Sequence, residues 1–242
     1  MAIVFFSDID DTLIQRKKNY QPPVSSDVDV PTVSSSYSTA AQQSLINLCN
    51  EQVFIPVTGR NKAAIDRLSI VMNSFKVIDH GAIILNENDE IDPDWQKILM
   101  TESDSWQHIL EDYAARIIQF IKDKSLALRC KVISDFGFAC YVSIKGSYDE
   151  LLKLSAITDQ FSVLADNARV HLNDSNMALL PPFACKKRAV EFLQQYFLAQ
   201  AQDTLFVGMG DSNSDLAFMQ TCHFQMIPQH SQINTENLYE HY

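Results

Sequence analysis

Apolar residues recur along this chain in two rhythms. Short, mainly apolar runs, IVFF at 3–6, VFIPV at 53–57, FKVID at 75–79 and TLFVG at 204–208, alternate with longer stretches where apolar residues return every three or four positions. A bounded run of four or five apolar residues predicts a strand buried on both faces, as in a parallel sheet. The periodic stretches predict helices at about 39–51 (Leu45, Ile46, Leu48 and Cys49 on one face), 61–74, 186–199 and 212–220, with a last strand near 223–227. Strands alternating with helices predict an α/β fold with a Rossmann-like parallel-sheet core.

Two stretches break this rhythm. Residues 15–39 carry Pro22, Pro23, Pro31 and six serines with little apolar periodicity, which predicts a loop. From AIIL (82–85) onward the style changes. Polar NENDEIDPDW precedes an amphipathic helix at 104–123 built on Trp106, Ile109, Leu110, Tyr113, Ile117, Phe120 and Ile121. LALRCKVI and FACYVSI then read as two strands split by a turn at Ser134–Gly137, with a helix near 147–157 after them. FSVLA, RVHL and NMALLP are further strand candidates, the first two pairing across Asp166-Asn167-Ala168. The expected organisation is a parallel core, 1–81 and 182–242, interrupted by an α+β unit at 82–181. Trp95 and Trp106 fit the core of that unit better than a sugar platform. Arg169, His171, Asn173 and Asn176 lie on its strands as candidate substrate contacts.

Charge and cysteine usage narrow the partners. A chain of 242 residues fits one domain carrying an insertion. Its net charge of −11 repels nucleic acid and anionic membranes, so neither is an expected partner. An anionic small molecule needs a local cation to approach. The five cysteines, Cys49, Cys130, Cys140, Cys185 and Cys222, are odd in number and lack CxxC spacing, so reduced thiols in the cytoplasm are expected. MAIVFF lacks the basic start of a signal peptide, and no apolar run approaches the ~20 residues of a membrane span. Oligomeric state is not legible.

The chemistry gathers at strand ends, where ligands of open parallel sheets bind. The first strand is followed by Asp8-Ile9-Asp10-Asp11-Thr12, the second by Thr58-Gly59-Arg60, and TLFVG by Met209-Gly210-Asp211-Ser212-Asn213-Ser214-Asp215. If the backbone stays extended past the first strand, Asp8 and Asp10 point to one side. Lys186-Lys187-Arg188 opens the helix before TLFVG. A carboxylate can take up a phosphoryl group as an aspartyl phosphate, provided that a cation offsets the repulsion between anions. Mg²⁺ suits carboxylate and phosphate oxygens. A second carboxyl can donate and then recover a proton. A threonine hydroxyl and backbone amides can bind phosphoryl oxygens, and a lysine can offset charge. Thr12, Gly59, Arg60 and Asn213, beside these positions, are candidate substrate contacts.

DIDDT, VTGR, a lysine at a helix start and GDSNSD, in that order, resemble the four motifs of the haloacid-dehalogenase-like hydrolases, mostly Mg²⁺-dependent phosphatases. The resemblance covers the core, about 1–81 and 182–242. It implies Asp8 as nucleophile and metal ligand and Asp10 as general acid and base, offering its backbone carbonyl to the metal. It further implies Thr58 as the phosphate-binding hydroxyl, Lys186 as the motif lysine, Asp211 as a metal ligand and Asp215 as its supporting acid. The compact insertion is similar to the caps of sucrose-phosphate, trehalose-phosphate and mannosyl-phosphoglycerate phosphatases and of phosphomannomutase. The expected function is therefore a Mg²⁺-dependent phosphatase of a small phosphorylated metabolite, a sugar or polyol phosphate. A sugar phosphomutase and a non-catalytic phosphometabolite binder are the alternatives. Asp11 and Lys187 stand where the family usually has glycine, and Ser214 where it often has asparagine. Lys186 is chosen over Lys187 because Lys186-Lys187-Arg188-Ala189 matches Lys-Gly-x-Ala in register. The separation of Asp8 from Thr58 is longer than usual, which the Pro/Ser-rich loop accounts for. Taken alone, the three acids also fit a turn and helix cap, and Lys186 a solvated helix start.

Overall fold

The computed structural model describes residues 2–16, 30–33 and 36–238. Its path begins with β1 (Ile3–Ser7), β2 (Gln15–Arg16), β3 (Val30–Val33), β4 (Ser36–Ser38), α1 (Ala40–Asn50), β5 (Val53–Pro56), α2 (Lys62–Ile65), β6 (Lys76–Ile78) and β7 (Ile83–Leu85). There follow α3 (Pro93–Asp123), β8 (Arg129–Asp135), β9 (Phe138–Lys145), α4 (Tyr148–Leu152), α5 (Ser155–Thr158), β10 (Arg169–Asn173) and β11 (Asn176–Leu180). The chain then continues through α6 (Lys186–Gln200), β12 (Leu205–Met209), α7 (Asn213–Met219), β13 (Phe224–Met226) and α8 (Gln232–Leu238). Two compact units result, Met1–Glu90 with Lys186–Tyr242, and Ile91–Cys185, against expected joins at 82 and 181.

The first unit is built on a four-stranded parallel sheet ordered β13-β12-β1-β5. β1 pairs with β12 from Ile3↔Leu205 to Ser7↔Met209, and with β5 from Val4↔Val53 to Ser7↔Pro56. The strand ends are therefore level, which places the residues after Ser7, Pro56 and Met209 side by side. Val4, Phe6, Phe54 and Ile55 are wholly buried, as unbroken apolar strands require. α1 starts at a capping box: the Gln42 N–H donates to Thr39 Oγ1 (3.2 Å) and the Thr39 N–H to Gln42 Oε1 (3.0 Å). Gln42 Nε2 also donates to the Thr12 carbonyl at 3.1 Å, tying the helix to the loop after β1. The face of α1 is narrower than its apolar pattern. Ile46 and Cys49 are buried, whereas Leu48 is exposed.

Several expectations for this unit are corrected. The described parts of the 15–39 stretch are not all loop: β2, β4 and β3 form a three-stranded antiparallel sheet, while 17–29 and 34–35 lie outside the described residues. The helix expected at 61–74 is a single turn, α2. The β-branched pair Ile70-Val71 and the short polar pair Asn73-Ser74 favour helix poorly. FKVID is not a third strand of the main sheet. β6 meets it through an isolated bridge, Val57↔Val77, and pairs antiparallel with β7. The chain reverses because Asp79, His80 and Gly81 hold left-handed φ values of 52°, 58° and 95° in succession.

The second unit is an antiparallel sheet ordered β10-β11-β9-β8 with α3 packed on β8 and β9. α3 is longer than the 104–123 expected, because Asp92 caps it and Pro93 occupies its first turn. Trp95, Leu99, Trp106, Leu110, Tyr113 and Ile117 form its buried stripe. Trp106 and Tyr113 meet Phe161 edge-on at 5.8 and 5.2 Å, so both tryptophans belong to the unit's core. FSVLA is a short 3₁₀ turn, Phe161–Val163, and RVHL pairs with NMALLP instead. The helix expected at 147–157 is broken into α4 and α5. Among the described residues no helix is long and apolar enough to cross a membrane.

Candidate functional site

The level tips of β1, β5 and β12 set the geometry. Asp8 leaves β1 with its N–H on the Met209 carbonyl at 2.8 Å, and the Val57 N–H reaches the Ser7 carbonyl at 2.7 Å. β12 runs into Gly210 and Asp211. An added Cβ on Gly210 would lie 2.5 Å from Asp215 Cβ and 2.8 Å from Met219 Sδ, so only glycine lets the strand tip pass so close to α7.

Asp8, Asp211 and Asp215 converge. One carboxylate oxygen from each lies within 4.8 Å of the others. Asp8 and Asp215 are buried and Asp211 is half-buried. Lys186, the first residue of α6, sends its ammonium into the group and donates at 2.7 Å to both Asp8 Oδ1 and Asp215 Oδ1. Lys187 instead forms an exposed pair with Glu191 at 3.7 Å, so Lys186 is the lysine that reaches the strand ends. Asp215 is held on its other oxygen by Ser212, whose N–H and hydroxyl donate to Oδ2 at 3.2 and 2.6 Å. The Thr12 hydroxyl, itself buried, donates to Asp211 Oδ1 at 3.3 Å.

Three carboxyls around one ammonium leave an excess of negative charge in a water-poor setting, and the titration behaviour follows. Burial pushes the Asp8 carboxyl well above its ordinary range. Lys186 opposes the shift, while Asp215, Asp211 and Asp10 reinforce it. Burial, then the charges of Asp215 and Asp11, push Asp211 up to about 7. Burial disfavours charge on Lys186, but Asp215 and Asp8 outweigh it and hold the ammonium above the usual lysine range. Oxygen ligands in excess of the available positive charge suit a hard divalent cation, and Asp8, Asp211 and Asp215 could hold one.

Asp10 stands apart from this cluster. Regular pairing of β1 ends at Ser7, and the chain turns at once: the Leu13 and Ile14 N–H groups both return to the Ile9 carbonyl. The side chain of Asp10, grouped with the metal ligands in the sequence reading, faces Arg60. Arg60 Nε donates to Asp10 Oδ2 and Nη2 to Oδ1, both at 2.7 Å. Asp10 thus directs both side-chain oxygens to Arg60 and none into the cluster of Asp8, Asp211 and Asp215. Burial disfavours the Arg60 charge, but its hydrogen bonds to Asp10 raise its pKa further. Arg60, expected among the substrate contacts, is engaged inside the protein.

Thr58 is buried at the tip of β5. Its Oγ1 accepts from the Arg60 N–H at 3.1 Å, which leaves the hydroxyl proton available to an anion. Its backbone is pinned by the Thr58 N–H on the Val77 carbonyl (2.9 Å) and the His80 N–H on the Thr58 carbonyl (3.0 Å). Gly59 lies under the His80 imidazole, whose Cε1 is 2.4 Å from where a Cβ would stand. Asn213 is exposed at the start of α7, its N–H directed to Gln232 Oε1 at 3.4 Å. Sequence reasoning missed Ser212. For Ser212, the serine three residues before Asp215 at a helix start was the available signal.

No family model matches the chain, and no curated protein does. Solved structures do match. The sucrose-phosphatase of Synechocystis sp. PCC6803, solved with sucrose and phosphate, is 17% identical with a TM-score of 0.56, over 100% of this chain and 89% of that one. The C-terminal domain of the C. albicans trehalose-6-phosphate phosphatase is 13% identical with a TM-score of 0.59, over 91% and 73%. A haloacid dehalogenase-like hydrolase from Bacteroides thetaiotaomicron is 11% identical with a TM-score of 0.54, and each chain is covered in full. The fold is that of the haloacid-dehalogenase-like hydrolases. The parallel core with its four strands is the Rossmann-like element of that fold.

Proposed function

We propose that the protein is a Mg²⁺-dependent phosphatase of a small phosphorylated metabolite, a sugar or polyol phosphate, acting through an aspartyl phosphate on Asp8. The observation that carries the reading is Asp8 at the end of β1, bonded to Lys186 within a cluster of three acids. The substrates named for the Synechocystis and C. albicans proteins support the sugar-phosphate class. Five free cysteines fit a reducing, cytoplasmic setting.

A bound Mg²⁺ would be held by Asp8, Asp211, Asp215 and the Asp10 carbonyl, and would offset charge on the phosphoryl group. Asp8 attacks phosphorus, and the bond to the leaving oxygen breaks as Asp10 gives that oxygen a proton. The Thr58 hydroxyl and nearby amides hold the phosphoryl oxygens, and Lys186 offsets the charge that develops on them and on Asp8. Water then attacks the aspartyl phosphate while Asp10 takes its proton, which frees Asp8 and inorganic phosphate. The inserted unit supplies substrate specificity.

Asp8→Asn tests this directly. The variant abolishes Mg²⁺-dependent hydrolysis of p-nitrophenyl phosphate, and wild-type turnover by it would overturn the assignment. A phosphate-release screen over phosphorylated sugars and polyols with Mg²⁺ identifies the substrate. Interconversion of sugar 1- and 6-phosphates without phosphate release would show a mutase.

A further inference from the structure

Building on that function, we infer that Arg60 is a positioning residue for the proton-transferring carboxyl of Asp10 and does not bind the substrate phosphate. Three of its nitrogens are already directed. Nε and Nη2 fork onto the two oxygens of Asp10, and Nη1 donates to the Ala64 carbonyl of α2 at 3.2 Å. The guanidinium is planar, so these bonds fix its plane, and the bidentate contact fixes the plane of the Asp10 carboxyl in turn. The Arg60 side chain keeps 17% of its surface exposed and Asp10 keeps 36%, so within this unit the acid is the more open to solvent.

The local backbone serves the same end. Asn61 caps α2 by accepting the Ala64 N–H at 3.2 Å, which sets the carbonyl that Arg60 needs. The Asp79 N–H holds the Arg60 carbonyl at 2.9 Å. Arg60 therefore springs from a segment secured on both sides. It bonds the loop after β1, which carries nucleophile and acid, to the loop after β5, which carries Thr58. Asp10 belongs to a turn without long strand pairing, and the fork supplies an orientation that its own backbone does not. The link also explains an arginine directly after Thr58-Gly59, a position from which the side chain reaches Asp10.

The test separates the two half-reactions. A nitrophenolate leaves without needing a proton, whereas an alcohol needs one, and hydrolysis of the aspartyl phosphate needs Asp10 as base. Arg60→Ala should keep an enzyme-stoichiometric burst of p-nitrophenolate while steady-state turnover falls roughly 10²-fold, in the range of general acid–base contributions. For an alkyl phosphate kcat should fall similarly with KM little changed. Arg60→Lys keeps the charge but not the fork, and should not restore kcat. In an Asp10→Asn background, Arg60→Ala should add little further loss, because both substitutions remove one function. A raised KM with kcat intact, rescue by lysine, or additive losses would each overturn the inference and show a substrate contact. Parallel loss of burst and turnover with a lowered Tm would overturn it in favour of a merely structural role. Absence of Mg²⁺-dependent turnover in the wild-type protein is a different failure, that of the phosphatase reading itself.

Discussion

Replacing Asp211 by asparagine should stabilise the metal-free protein and destroy its response to Mg²⁺. Burial, with the charges of Asp215 and Asp11, moves this carboxyl from 3.8 to about 7 in the folded chain. The unfolded chain gives up that proton near pH 4. Between these values the folded state binds the extra proton, so its stability falls as pH rises. The contribution is fully present below about pH 4 and is lost by about pH 7. A shift of about three pH units corresponds to ~4 kcal/mol at ~1.4 kcal/mol each. Asp211 is only half-buried, and solvent screening reduces this to about 2 kcal/mol. Asparagine keeps the shape and the oxygen that accepts from Thr12 but carries no charge. In EDTA at pH 8 its Tm should exceed wild type by about 4–8 °C, at ~2–4 °C per kcal/mol for a chain of this size. At pH 4 the two should coincide. With millimolar Mg²⁺ at pH 8 the order should invert, because the cation stabilises only the protein that binds it. Thermal melts across pH with and without Mg²⁺ measure all of this. Parallel pH curves, or a variant less stable than wild type at pH 8 in EDTA, would refute the electrostatic account.

Lys186→Met leaves Asp8 and Asp215 without their shared cation. The metal-free protein should lose about 3–5 kcal/mol, the cost of breaking a buried pair, and kcat for p-nitrophenyl phosphate should drop roughly 10²–10³-fold, read by urea unfolding and steady-state assay. Gly210→Ala would force a Cβ against Asp215 and Met219. It should cost about 1–3 kcal/mol and weaken Mg²⁺ binding in calorimetry, whereas Gly137→Ala, where a Cβ meets nothing, should leave Mg²⁺ binding unchanged. Ser212→Ala removes a hydroxyl bond to Asp215 and part of a helix start; about 1 kcal/mol of stability and a weaker response to Mg²⁺ should be lost together in thermal melts.

The core, and the gathering of Asp8, Lys186 and Asp211 at its strand ends, were legible because two independent signals coincided. Unbroken apolar runs mark strands buried on both faces, and the acids, Thr58 and Asp211 follow those runs directly. The level register that brings the three tips together is long-range pairing, which no local window contains. Lys186 was separable from Lys187 by register alone, and the difference in geometry between them is large: one ammonium is buried between two carboxylates, the other lies in solvent. The misreadings have separate causes. Residues 61–74 hold poor helix formers, and FSVLA shows that short apolar runs fit strand or turn equally. FKVID does hold the expected strand, β6, but it pairs with β7 because Asp79 and His80 adopt backbone that periodicity does not encode. The partner of Asp10 was also beyond reach, since a bidentate contact between loops of two different strands leaves no mark in either sequence.

Asp11 holds a φ of 62° in the turn after the proposed nucleophile, and its charge adds to the pressure on Asp211. Few residues accept that backbone, and glycine and asparagine are two of them. Both are reached from an aspartate codon by a single base change. The position is therefore a mutational dial: one nucleotide removes a negative charge from the rim of the acid cluster while the turn that carries it keeps its shape.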